Sequence, residues 1–348
     1  MGGYSNEILG LMQLERYEIG VLDIPGMPSF MDLVRDALQG ELDLSISGLL
    51  TAFGNIIFSE FAANGQLIRQ LVVIAILGAL LSCLTEAFKH NAAGETGFYV
   101  TYLMAALLAV SSFHIGVGIL TGLVGLVENV MMASVPMMIG LMTMGGNFMG
   151  AAAFHPLLFF ALQLMVRFIS VVFIPLVLAA AALDVVGQLS SEGHKLEKMA
   201  ELIRKIADWT LKGLVGVFVF LLTLQRFTAP IISNVALRTS RNVVGAVPVI
   251  GNVFSSAVDT VVYFSQAARS GVLVALVLVL CGVLVAPLIK ILVLALVYRI
   301  SAAFLQPISD KRIIALMDGV GKHMLMLFSA AALIGVMCIY TVIILLSF

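Results

Sequence analysis

The chain has 348 residues, of which 61% are hydrophobic and 11% charged, with a formal net charge of −1 and a mean hydropathy of +1.10. A soluble domain carries roughly 45–50% apolar and about 25% charged residues, so water is excluded as the solvent for most of this surface. The apolar residues fall into separate runs, several of which reach the length of about 20 residues that a hydrocarbon core roughly 30 Å thick requires of a helix.

Residues 1–66 differ from the rest, with nine acidic side chains against only Arg16 and Arg35. Cytoplasmic flanks of membrane spans are rich in Lys and Arg, so this acidic, Lys-free segment is expected outside the cytoplasm. It carries amphipathic pieces, 29–38 and 42–58, of the kind that form short interfacial helices. Residues 2–10 lack the basic start and apolar core of a cleavable signal.

Residues 67–348 read as a transmembrane helical bundle. Full spans are predicted at 67–88, 98–127, 154–186, 213–232, 271–298 and 323–348. The strict alternation of a membrane β-barrel is absent, so the fold class is all-α and polytopic. Two further apolar segments, 130–150 and 242–268, are interrupted by Pro and Gly. The basic loops 190–212 (Lys195, Lys198, Arg204, Lys205, Lys212) and 299–322 (Arg299, Lys311, Arg312, Lys322) belong on the cytoplasmic side. With an external N-terminal segment, both loops lie inside only if each interrupted segment enters and leaves on one side. Six full spans and two re-entrant hairpins are therefore expected.

A two-fold internal repeat is suggested by prolines. Pro136 and Pro248 stand 112 residues apart, as do Pro175 and Pro287, in the matching contexts Val-Pro and Pro-Leu. At this offset units 98–209 and 210–321 superimpose hairpin on hairpin and basic loop on basic loop. Few other identities accompany them, so coincidence among nine prolines is the competing reading. A true duplication with two spans per unit would be a parallel repeat of the transporter type.

Irregular backbone at membrane depth is tolerated only where protein or water covers it. Gly145, Gly146, Asn147 and Gly150, followed by His155 and Pro156, are therefore candidates for a pathway or packing core, as are Pro248 and Gly251. The competing reading is that the glycines simply permit close helix packing. Arg167 and Lys290 lie inside apolar runs, where a charge at the bilayer centre costs about 2.5–3.5 kcal/mol. Either they face a polar cavity, with Asp184 and Asp259 as counter-charges, or they snorkel from over-long helices to an interface.

No catalytic or cofactor signature emerges. Nothing has metal-ligand spacing, and the methionines around 131–149 read as flexible packing in preference to a Cu(I) site. Cys83, Cys281 and Cys338 are isolated in apolar runs and form no disulfide framework. A Walker loop, an HExxH pattern and a Ser/His/Asp arrangement are all missing. The chain is thus expected to be neither an enzyme nor its own ATPase. Arg238, Arg241 and Arg269 lack the Lys and aromatic interleaving of a nucleic-acid site.

The stretches Gly145-Gly146, Ala151-Ala152-Ala153-Phe154-His155-Pro156, Val235-Ala236-Leu237-Arg238-Thr239, Val247-Pro248-Val249-Ile250-Gly251, Asp259-Thr260-Val261, Ala286-Pro287-Leu288-Ile289-Lys290 and Leu305-Gln306-Pro307-Ile308 occur in that order. In them the chain resembles the stage III sporulation protein AE family of endospore-forming bacteria, over most of its length. The resemblance implies a multi-pass protein of the mother-cell membrane around the forespore. It would work in a channel or secretion-like apparatus with the other products of the sporulation operon, a separate ATPase among them, and a partner in the forespore membrane. Family members usually begin with a signal sequence, and the resemblance supplies no catalytic residues. Three functions remain open from the residues: a permease-like component of such a complex, a free-standing secondary transporter of a small solute, and a structural membrane scaffold.

Overall fold

The computed structural model of the chain describes residues 46–87, 92–145, 160–188, 193–244, 280–281 and 284–347. These form seven helices and, among the described residues, no strand: α1 (Ile46–Ala63), α2 (Gly65–Ala87), α3 (Ala92–Gly145), α4 (Phe160–Gly187), α5 (Gly193–Val244), α6 (Leu284–Leu305) and α7 (Lys311–Ser347). Four apolar segments among them are long enough to cross a membrane: Thr96–Asn129, Phe160–Gly187, Leu284–Leu305 and Lys311–Thr341. A fifth crossing is available if the bent pair α1–α2 counts as one span.

That bend, 51°, falls at Asn64. Asn64 donates both its backbone N–H (3.1 Å) and its side-chain amide (2.8 Å) to the Glu60 carbonyl, while its own carbonyl accepts from Ile68 N–H at 3.1 Å. The direction of the chain changes while these backbone groups stay bonded, as an apolar solvent demands.

Two sequence expectations are revised. Residues 130–145 continue α3 as helix without a break. The basic segments are helix ends more than loops: 193–212 opens α5, and 299–322 comprises the end of α6, a tight turn and the start of α7. The expected span 213–232 is helical throughout, inside the 52-residue α5. The second expected hairpin, beyond the α5 terminus, lies outside the described residues, as does Pro248 of the suggested repeat.

In the turn after α6, Ser309 N–H and Ile308 N–H donate to the Leu305 carbonyl at 2.8 and 3.0 Å. Asp310 then caps α7 by accepting from Arg312 N–H at 2.8 Å. Helix α4 carries a π-helical turn at Ile169–Phe173, closed by Ile174 N–H to the Ile169 carbonyl. Pro175 follows it immediately. Proline has no N–H and its ring clashes with a carbonyl one turn back, and a widened turn is a common accommodation.

Helix α7 is the hub. Its buried residues Ile313, Met317, Val320, Met324, Leu327, Ala331, Ile334 and Cys338 alternate four and three apart, forming one continuous seam. It packs on α3, α4 and α5. The close approaches are made by small residues: a Cβ on Gly116 of α3 would lie 2.6 Å from Met324 Sδ, and one on Gly321 would strike the Arg299 side chain and sit 3.3 Å from the Ala295 carbonyl of α6. Facing outward are large apolar side chains, including Leu103, Leu107 and Val110 on α3 and Phe160, Leu164 and Val171 on α4. Such a surface suits lipid, not water.

Gly321→Val is expected to lower stability by about 1–3 kcal/mol, because the added atoms meet a backbone carbonyl that cannot rotate away. Gly118→Val, where a Cβ has nothing within 4 Å, should change little. Thermal unfolding of the two variants in detergent would measure the difference.

Candidate functional site: a buried charged cluster

A carboxylate in an apolar helix must be paired or neutralised. Asp184 stands one turn before the end of α4 and is the centre of the cluster. Its Oδ2 accepts from Arg204 Nη1 of α5 at 2.7 Å and lies 2.8 Å from His323 Nε2 of α7. The side chains are 15%, 23% and 1% exposed respectively, so the imidazole is the most enclosed member.

The arrangement constrains the histidine. An ionised Asp184 bonded to Arg204 only accepts, so His323 must carry a proton on Nε2. Its Nδ1 is buried without a hydrogen-bond partner. In neutral imidazole that atom is an unsatisfied acceptor; in imidazolium it is an unsatisfied donor. An unpaired buried polar atom costs about 1–3 kcal/mol, and here it is retained next to an ion pair. Phe113 of α3 stands edge-on to the ring, with centroids 6.2 Å apart.

Polar contacts extend the cluster to the remaining core helices. Tyr102 of α3 donates its hydroxyl to the carbonyl of Val185, the residue after Asp184, at 2.8 Å. Tyr298 of α6 lies 2.8 Å from Ser112 Oγ and 3.1 Å from the Leu108 carbonyl, both on α3. Its single proton can serve the carbonyl while its oxygen accepts from Ser112. Helices α3 to α7 are thus each tied to a neighbour by a polar side chain.

Of the residues singled out from sequence, Gly145 ends α3. Gly146, Asn147, Gly150, His155, Pro156, Pro248, Gly251 and Asp259 lie outside the described residues. Arg167 is exposed on α4, and the 17 residues to Asp184 along one helix amount to about 25 Å, so Asp184 cannot be its counter-charge. Lys290 is half exposed, and its Nζ lies 3.8 Å from Oε1 of Glu60 on α1. Neither residue belongs to the Asp184 cluster.

Sequence reasoning named Asp184 but gave it the wrong partner, and it treated Arg204 and His323 as a loop charge and a span end. Separations of 20 and 139 residues have no local pattern to detect. The available signal was the acid itself, inside a run too apolar to leave it alone. Among the described residues no group of three His, Cys, Asp or Glu is arranged to hold a metal, and the three cysteines are free.

A bundle that, among the described residues, is all helical with four apolar crossings and a charged cluster between its helices is an integral membrane protein. A sequence model of the stage III sporulation protein AE family matches residues 28–348, and the chain belongs to that family. It is 28% identical over 301 residues to the stage III sporulation protein AE of Bacillus subtilis (strain 168), an alignment covering 86% of this chain and 75% of the relative. No solved structure matches.

Removing two members of the cluster together should cost less than the sum of removing each alone. Arg204→Leu and Asp184→Leu are each expected to destabilise by on the order of 2–3 kcal/mol, reduced from fully buried values by partial exposure, and the double variant by less than their sum. Unfolding in detergent across this double-mutant cycle would measure the coupling; strict additivity would mean that the pair contributes nothing specific.

Proposed function

We propose that the protein is a permease-like component of the membrane complex that joins the mother cell to the forespore during endospore development, seated in the mother-cell membrane. The observation that carries this reading is the family match across residues 28–348. The bundle supports it, because the Asp184–Arg204–His323 cluster and the Tyr298–Ser112 contact join its helices from within. The chain acts, on this reading, without catalysis of its own. Energy for transport comes from a separate ATPase of the same operon, and a forespore membrane protein completes the passage.

A second reading, a free-standing secondary transporter, is favoured by one feature. His323 and Asp184 are in hydrogen-bond contact inside the bundle, and paired ionisable residues of this kind carry protons in many transporters. A structural scaffold would tolerate changes at these residues as long as the bundle folded.

The test is complementation. In a spore-former lacking its own family member, the wild-type chain is expected to restore heat-resistant spores and late forespore transcription. His323→Leu should insert normally and restore neither. Affinity purification from gently solubilised sporulating cells should recover the other operon products. Recovery of the chain alone, with solute uptake in proteoliposomes, would replace this reading with the transporter, and full activity of His323→Leu would leave the scaffold.

A further inference from the structure

The first five turns of α5 are two-faced in an unusual way. One face, with Ala200, Arg204, Ala207 and Leu211, is turned into the bundle against α4. A second stripe, Met199, Leu202, Ile206 and Trp209, points away from it and is bare, with Trp209 75% exposed. These four positions follow the alternating three and four spacing of a coiled-coil seam. They cover about 15 Å of helix.

Lipid tails do not account for this stripe as they do for the exposed apolar residues of α3 and α4. Residues 195–212 hold eight charged side chains in eighteen positions, too many for the hydrocarbon core. Nor does the helix break between this segment and the apolar residues after Gly213, since α5 is continuous from Gly193 to Val244. With the expected span 213–232 in the bilayer, α5 carries an unbroken charged extension away from the surface instead of along it.

Charge then selects the occupant. Seven-residue spacing puts Lys198, Lys205 and Lys212 in one row along the rim of the stripe, all of them exposed. Lys205 shares its charge with Glu201 at 2.9 Å, and Glu197, Glu201 and Asp208 lie beyond the row on the side away from the stripe. A second copy of α5 docked antiparallel would set lysine row against lysine row. Docked parallel, it would offer the row only Ile203 and Thr210. Neither arrangement supplies an acid. We infer that the Met199–Leu202–Ile206–Trp209 stripe, with its Lys198–Lys205–Lys212 rim, is the docking site for an amphipathic helix of a partner protein that carries acidic residues beside its apolar seam. This surface is separate from the buried cluster, and the inference does not depend on the channel reading.

Trp209 is the only tryptophan in the chain, so its fluorescence reports on the stripe directly. The experiment uses the full chain, one copy per nanodisc of neutral phosphatidylcholine. The probe is a synthetic Trp-free helix of roughly three heptads, with Leu and Ile at the seam and Glu at the flanking positions. Saturable blue-shifting of Trp209 is expected, weakening as salt is raised. A matched peptide with Lys in place of Glu should bind at least about tenfold more weakly. The triple variant Lys198→Glu, Lys205→Glu, Lys212→Glu should reverse that preference.

No response to either peptide, or an equal response to both, would overturn the inference even if the triple variant failed to fold. A blue shift in anionic phosphatidylglycerol nanodiscs without peptide would overturn it in favour of a lipid surface. A peptide-free shift on going from one to two copies per disc would overturn it in favour of self-association.

Discussion

Asp184 has to be paired, and the pairing decides where three helices go. In hydrocarbon an apolar side chain gains little by leaving lipid for protein, so burial alone does not specify which helix faces meet. A carboxylate does discriminate, because few neighbours can offset its desolvation. With Arg204 and His323 both on Oδ2, the end of α4, the start of α5 and the middle of α7 are held to one geometry. The cluster acts as a register mark for the bundle, whatever it does in transport.

Packing completes what the cluster begins. The seam of α7 closes against its neighbours at glycines, where backbone or side chain approaches too closely for a Cβ, at Gly116 and Gly321. Tyr298 and Ser112 add a polar tie between α6 and α3 in the same interior. Small residues set the distance between helices and polar pairs set their rotation, so the two devices are complementary. This also explains why the described core mixes fully buried Ala and Met with a few hydrogen-bonded hydroxyls.

The opening turns of α5 serve two surfaces. They bring Arg204 to the cluster on one face while leaving Trp209 bare on another. One helix thereby links the charged interior of the bundle to a surface suited to a partner. A change in how the surface is occupied has a short physical route to Asp184, since Arg204 lies within two turns of Leu202, Ile206 and Trp209 along the same helix.

Much of the architecture was legible in the residues themselves. Apolar runs of bilayer length identified a helical membrane protein, because the solvent acts on each segment separately, and each of the four crossings overlaps an expected span, although α6 runs on to Leu305 and α7 begins at Lys311, both inside the expected loop 299–322. Short motifs scattered from Gly145 to Ile308 were enough to indicate the family. Span counting was less secure, because Pro and Gly mark a potential break without enforcing one: helix continues through residues 130–145 despite Pro136. What only the tertiary structure decided was partnership. Asp184 could be recognised from sequence as a charge in need of a partner, yet nothing local distinguishes Arg167, on its own helix but about 25 Å away, from His323, 139 residues distant and in hydrogen-bond contact. Hydropathy is a property of a segment, whereas the pairing of a buried charge is a property of how segments are packed.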